Sequence, residues 1–144
     1  MRKSIFIRLI IILAIYIGLR YFGGETGRQI LYPVILLVTY LHELGHASLG
    51  HQRYSDDLQL LIMEVQAWRE AKDHAKRYGI SIDEAHIDEC LDSYRQWLHV
   101  RSRCIECSNN SMQIDRTTYQ CHNCLTKWNV PSSRFCAIRR TRVT

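Results

Sequence analysis

Apolar and polar positions alternate with a different rhythm in each stretch of the chain. Residues 4–22 are mostly apolar, with Arg8 interrupting the run and Arg20 nearly ending it. The uncharged stretch from Leu9 to Leu19 is shorter than the roughly 20 residues a helix needs to cross a bilayer. Arg8 and Arg20, however, can snorkel toward the interface. Arg2 and Lys3 precede the run, and no small-residue cleavage site follows it. The expectation is therefore a membrane anchor with a cytoplasmic N-terminus, ahead of a signal peptide or a buried or interfacial helix.

Residues 23–27 read as a Gly-rich turn. Residues 30–41 are apolar on every face of a helix, which predicts burial in protein or in lipid. Pro33 suits the start of that helix and Gly50 its end. A further helix over 58–78 follows from the stripe Leu61, Val65, Trp68, Ala71 and Ala75, with Ser55-Asp56-Asp57 as its cap and Gly79 as its stop. Ser81-Ile82-Asp83-Glu84 reads as a capping box. It opens a helix to about Val100 that buries Ile87, Cys90, Leu91, Tyr94, Trp97 and Leu98. Beyond Arg101 polar turns and short β-like stretches take over. No internal repeat or low-complexity tract is present.

Charge divides along the same lines. Net charge is +4 over residues 1–28, −5 over 29–100 and +6 over 101–144, which argues for a modular chain of 144 residues.

The chemistry begins at His42-Glu43-Leu44-Gly45-His46. Residues i and i+4 share a helix face, so His42 and His46 can aim imidazole nitrogens at one ion. Glu43, offset by one position, is expected to reach the water at that metal and act as general base. Gly45 would let another backbone approach closely. Two histidines and a carboxylate on a buried helix would be costly without a metal. A catalytic zinc takes a third protein ligand. Glu64 is the choice, because it falls in the middle of the apolar stripe of the next helix, where a carboxylate calls for a cation. His51, Asp56 and Asp57 are rivals, and His51 requires the helix to break at Gly50. Tyr54, His74 and Tyr78 are unranked candidates for stabilising an oxyanion.

The string His42-Glu43-Leu44-Gly45-His46-Ala47 resembles the active-site helix of zincin-type metallopeptidases. Glu64-Val65-Gln66-Ala67-Trp68 is similar to the glutamate-bearing second helix of gluzincins. The nearest resemblance is to ImmA/IrrE-type peptidases, which cut repressors of phages and mobile elements. It covers about residues 30–78, and the chain departs from the family in its apolar N-terminus and in lacking room for a β-sheet before the motif. The same string also resembles the intramembrane site-2 proteases, whose third ligand is an aspartate of a later membrane segment. Leu91-Asp92-Ser93 is only a faint echo of that aspartate, in a charged helix.

Cys104-Ile105-Glu106-Cys107 and Cys121-His122-Asn123-Cys124 form two Cys-x-x-Cys knuckles. Their spacing favours one tetrahedral zinc on four thiolates, in a stretch that resembles a zinc ribbon. Such a site is structural and should fold only with metal. The thiolates must stay reduced, so this half is expected to face the cytoplasm. His122 is expected to point outward. Thr117-Thr118-Tyr119-Gln120 reads as a strand. Arg101, Arg103, Arg116, Lys127, Arg134, Arg139, Arg140 and Arg142 make the block basic, with Tyr119 and Trp128 among them. Nucleic-acid binding, a solvated face, a contact with the acidic middle block and a surface for anionic lipid all remain open. Cys90 reads as an inert core thiol, and Cys136 has no assigned role.

The resulting expectation is a mainly α chain. It has an apolar segment over 1–24, a three-helix metallopeptidase-like domain over 28–100, a small β zinc ribbon over 101–130 and a basic tail over 131–144. The expected function is a membrane-associated zinc peptidase with two zinc sites, one catalytic (His42, His46, Glu64, with Glu43 as base) and one structural. It is expected to act on a protein or peptide substrate, to dock it through the ribbon, and to have its site completed by a partner or a homodimer. The alternatives are a nucleic-acid or protein binding module with a non-catalytic first site, a site-2-protease-like intramembrane peptidase, and a small membrane adaptor.

Overall fold

The computed structural model describes residues 25–134 and 136–143, with side chains from Val34 onward. Among the described residues three helices precede a small sheet: α1 (Glu25–Ser48), α2 (Asp57–Arg77) and α3 (Glu84–Ser102). The strands β1 (Met112–Gln113), β2 (Thr118–Gln120), β3 (Lys127–Asn129) and β4 (Thr141–Arg142) form one antiparallel sheet in sequence order. Among the described residues no helix is long and apolar enough to cross a membrane. The expected anchor over 4–22 lies outside the described residues.

The chain divides into two compact units, Met1–Gln52 with Gln66–Ile82 and Arg53–Val65 with Asp83–Thr144. In the first, α1 begins at Glu25, so Pro33 lies inside the helix rather than at its start. A proline there removes one backbone donor, which the remaining turns of a 24-residue helix tolerate. The helix ends in a Schellman motif. Gly50 takes φ +67°, the Gly50 N–H donates to the carbonyl of Ala47 (3.2 Å) and the His51 N–H to that of His46 (3.0 Å). The far end of α2 repeats the device. Gly79 takes φ +69°, and the Ile80 N–H donates to the carbonyl of Ala75 at 3.0 Å. The buried residues of this unit are Leu41, Gly45, His46, Ala67, Trp68, Ala71, Ala75 and Ile82. The glycine on α1 lets the backbone of α2 come close, since a Cβ built on Gly45 would stand 2.3 Å from the carbonyl oxygen of Ala67.

In the second unit, Asp56 caps α2 by accepting from the Gln59 N–H at 2.8 Å. The cap of α3 differs from the expected box. Asp83, not Ser81, caps the helix, accepting from the Ala85 N–H at 3.1 Å. The predicted buried side of α3 is present in Ile87, Leu91 and Trp97, with Cys90, Tyr94 and Leu98 half-buried. Residues expected to be a basic tail instead supply β4, where Arg142 pairs with Trp128 and Thr141 with Asn129.

The sheet carries a core of Cys104, Tyr119, Cys121, Trp128 and Val130. Tyr119 and Trp128 face each other across β2 and β3, rings stacked at 5.8 Å and 12°. Around them lies a polar network that joins three elements of this unit. Asp57, at the start of α2, accepts from Arg101 Nε (2.6 Å) and NH2 (3.3 Å) and from the Tyr119 hydroxyl (2.6 Å). The Asp57 backbone N–H donates to Gln113 Oε1 at 2.8 Å. Arg101 also donates to the carbonyl of Pro131 at 2.5 Å and lies over the Trp97 ring, while its own carbonyl accepts from Trp128 Nε1 at 3.0 Å. Arg101 is 1 % exposed, and the Asp57 carboxylate, the Pro131 carbonyl and the Trp97 ring compensate its buried charge.

Candidate metal centres

The two cysteine knuckles are copies of each other in hydrogen bonding. In the first, the Cys104 N–H donates to the carbonyl of Asn109 (2.9 Å) and the Ser108 N–H to that of Cys104 (3.1 Å). In the second, the Cys121 N–H donates to the carbonyl of Thr126 (2.9 Å) and the Leu125 N–H to that of Cys121 (3.0 Å). The residue after each second cysteine takes a left-handed conformation, φ 61° at Ser108 and 60° at Leu125. Glycine is the usual occupant of that region. The four sulfurs lie within 4.8 Å of one another. Cys104 and Cys124 are 3.5 Å apart and Cys107 and Cys121 3.4 Å apart. These separations are far longer than a disulfide bond. They approach the roughly 3.8 Å edge of a tetrahedron with Zn–S near 2.3 Å. Burial pushes the Cys104 thiol up to about 11, whereas the Cys124 backbone N–H holds Cys121 down at about 6. This cluster could bind zinc, consistent with a zinc ribbon. His122 points to solvent, as expected.

The second cluster is built on helices. His42 and His46 stand one turn apart on α1, with their Nε2 atoms 3.2 Å from each other. A tetrahedral zinc with Zn–N near 2.05 Å would separate two ligand nitrogens by about 3.3 Å. Each ring is held from behind. Trp68 stacks on His42 at 4.2 Å and 27°, and His51 Nδ1 lies 3.0 Å from His46 Nδ1. Glu64, on α2 one turn before Trp68, is 4 % exposed. The ligand atoms of His42, His46 and Glu64 all lie within 4.8 Å of one another. Two imidazoles and a buried carboxylate gathered at that distance fit a cation, and this group could hold a metal ion compatible with zinc.

The rivals of Glu64 are engaged elsewhere. Asp57 is bound by Arg101 and Tyr119. Asp56 caps α2, and the Ser55 hydroxyl, donating to it, holds its carboxyl below the usual range. His51 faces the opposite nitrogen of His46. Glu43 is half-buried on α1 beside His42. Of the three oxyanion candidates, His74 bonds Ser48 Oγ through Nε2 at 3.1 Å and pairs with Glu70 at 3.4 Å. Tyr78 projects into solvent at 75 % exposure and Tyr54 is half-buried. Asp92, the echo of an intramembrane ligand, is an exposed partner of Arg95 at 2.6 Å. Cys136 is exposed. Cys90 is half-buried rather than in the core, its thiol pushed up by burial and by Glu89.

The basic face is smaller than the sequence suggests, because Arg101, Tyr119 and Trp128 are buried and cannot meet a nucleic acid. Sequence reading missed the role of Asp57, whose one legible signal was an acid at a helix start. Comparison of the chain with protein-family models, with curated proteins and with solved structures gave no match.

Proposed function

We propose that this protein is a zinc-dependent peptidase. The observation that carries the reading is the convergence of one ring nitrogen each of His42 and His46 with the Glu64 carboxylate within 4.8 Å, the two Nε2 atoms standing 3.2 Å apart. A zinc held by these three side chains would supply Lewis-acid chemistry, lowering the pKa of a water and polarising a substrate carbonyl. His42 and His46 would hold that ion from one helix and Glu64 from the next. Glu43, one residue from His42, would take a proton from the attacking water at its carboxylate and return it to the leaving amine. The three-ligand set distinguishes this cluster from the four-thiolate one, which offers a tetrahedral ion no free position. The ribbon would then serve structure and substrate docking.

Membrane association belongs to the same proposal. Its support is the apolar run over 4–22 together with Val34, Ile35, Leu37 and Tyr40, all exposed along α1. A ribbon facing the cytoplasm and a protein or peptide substrate complete the reading.

The test is zinc counting combined with proteolysis of an unfolded protein substrate. Wild type should bind two zinc ions and cleave. Glu64→Ala should bind one and be inactive. Glu43→Gln should bind two and lose at least 100-fold in rate, the lower range for removing a general base. Equal cleavage by wild type and Glu43→Gln would remove the mechanism, and two zinc ions in Glu64→Ala would remove the ligand set.

A further inference from the structure

We propose that His51 is a positioning residue for the first metal site, fixing the tautomer and the ring plane of His46. This rests on the reading of His42, His46 and Glu64 as metal ligands.

The argument starts from the backbone. Gly50 is the left-handed residue of the Schellman motif that ends α1, and His51 is the residue after it. In that motif the side chain following the glycine folds back over the residue five positions earlier, where an apolar contact is usual. Here the two positions are His51 and His46, and the contact is polar. The His51 N–H donates to the carbonyl of His46 at 3.0 Å. The two rings meet with Nδ1 facing Nδ1 at 3.0 Å, centroids 5.2 Å apart. Main-chain and side-chain bonds therefore tie the same two residues together.

The ring chemistry then has one solution. A neutral imidazole has one N–H and one lone pair. His46 Nε2 faces His42 Nε2 in the ligand cluster and must offer its lone pair to an ion. Its proton is thus on Nδ1, which points at His51 Nδ1. His51 must accept there, and so carries its own proton on Nε2. A metal-bound histidine commonly gives its second N–H to a carboxylate or a carbonyl. In this chain a third histidine takes that place. It does so because the helix ends two residues beyond the ligand, and glycine at position 50 turns the chain back.

The experiment uses the full chain, with zinc affinity read by chelator competition and Co(II) substitution read by visible spectroscopy. Thiolate-bound and imidazole-bound Co(II) absorb differently, so the cysteine site is an internal control for folding. His51→Phe keeps a ring but removes the acceptor. His51→Asn offers an amide oxygen near the place of Nδ1. His51→Phe should weaken the first site about 10–100-fold, the usual effect of losing an outer partner of a metal ligand. It should also shift the Co(II) bands of that site and leave those of the cysteine site unchanged. His51→Asn should restore affinity to within a few fold of wild type. Wild-type affinity in His51→Phe, or equal weakness in both variants, would overturn the role of His51. A wild-type chain with only the cysteine-bound metal would instead overturn the ligand reading, and the role of His51 with it.

Discussion

The cysteine cluster and the histidine cluster reach similar ligand separations by opposite routes. The cysteine cluster is local. Each knuckle is closed by its own backbone bonds, and only 13 residues separate Cys107 from Cys121. Its core beyond the sulfurs is small: Tyr119, Trp128 and Val130. A unit of this kind would depend on a bound metal for folding. The histidine cluster hangs on long helices closed by their own backbone caps and packed through their own side chains. The backbone approach at Gly45, the stack of Trp68 and the Nδ1–Nδ1 contact of His46 with His51 surround it. One centre would hold its fold together through a metal, and the other would have its metal positions arranged by the fold.

Removing metal should therefore separate the two regions most sharply. A strong chelator should unfold the sheet, because metal binding in small zinc domains is worth about 10–16 kcal/mol. Trp128 should become exposed, with a red shift of its fluorescence, while most helical circular dichroism persists. A sheet that survives chelation would erase the contrast.

The next effect concerns the polar network. Asp57→Ala leaves Arg101 buried without its carboxylate, which should cost about 3–5 kcal/mol. Denaturant melts followed at Trp128 measure the loss. Replacing Asp57 and Arg101 together by apolar residues of similar volume should recover most of it. A loss under 1 kcal/mol in Asp57→Ala would mean the ion pair is not sheltered.

A smaller change should act on the histidine centre alone. Gly45→Ala would place a Cβ 2.3 Å from the Ala67 oxygen, forcing α1 and α2 apart at about 1–3 kcal/mol. First-site zinc affinity should fall at least 10-fold, as for a displaced ligand shell, with the cysteine site unaffected. Unchanged affinity at both sites in a metal titration would show that the helices have slack.

The smallest effect is a gain. Leu125 is exposed and holds φ 60°. Leu125→Gly should relieve about 1 kcal/mol of backbone strain, and the thermal midpoint of the metal-loaded sheet should rise. A lower midpoint would show that the leucine side chain matters more than its backbone conformation.

What the sequence disclosed depended on distance along the chain. His42 and His46 are four residues apart, and helix geometry alone brings them together. Glu64 stood out because a carboxylate interrupted an apolar stripe. The cysteine spacing needed no tertiary information. The Asp57–Arg101–Tyr119 network was hidden because its members are separated by 44 and 62 residues. Taken singly, they read as a cap, a surface cation and a strand aromatic. Strand β4 was hidden for a related reason. Thr141 and Arg142 look like part of a basic tail until β3 offers them an edge. At α3, Asp83 won the cap over Ser81 because it stands next to Glu84, the first helical residue.

The four sulfurs are not equally sheltered. Cys104 and Cys121 are sealed in the sheet core, Cys107 is half-buried and Cys124 lies open to solvent. An oxidant or a competing chelator thus meets the Cys124 edge first. Damage there would unlatch one corner of the tetrahedron while the two sealed thiolates still gripped the ion. The ribbon would shed its metal in stages from a single side, and repair by a cellular reductant would begin at that same thiol.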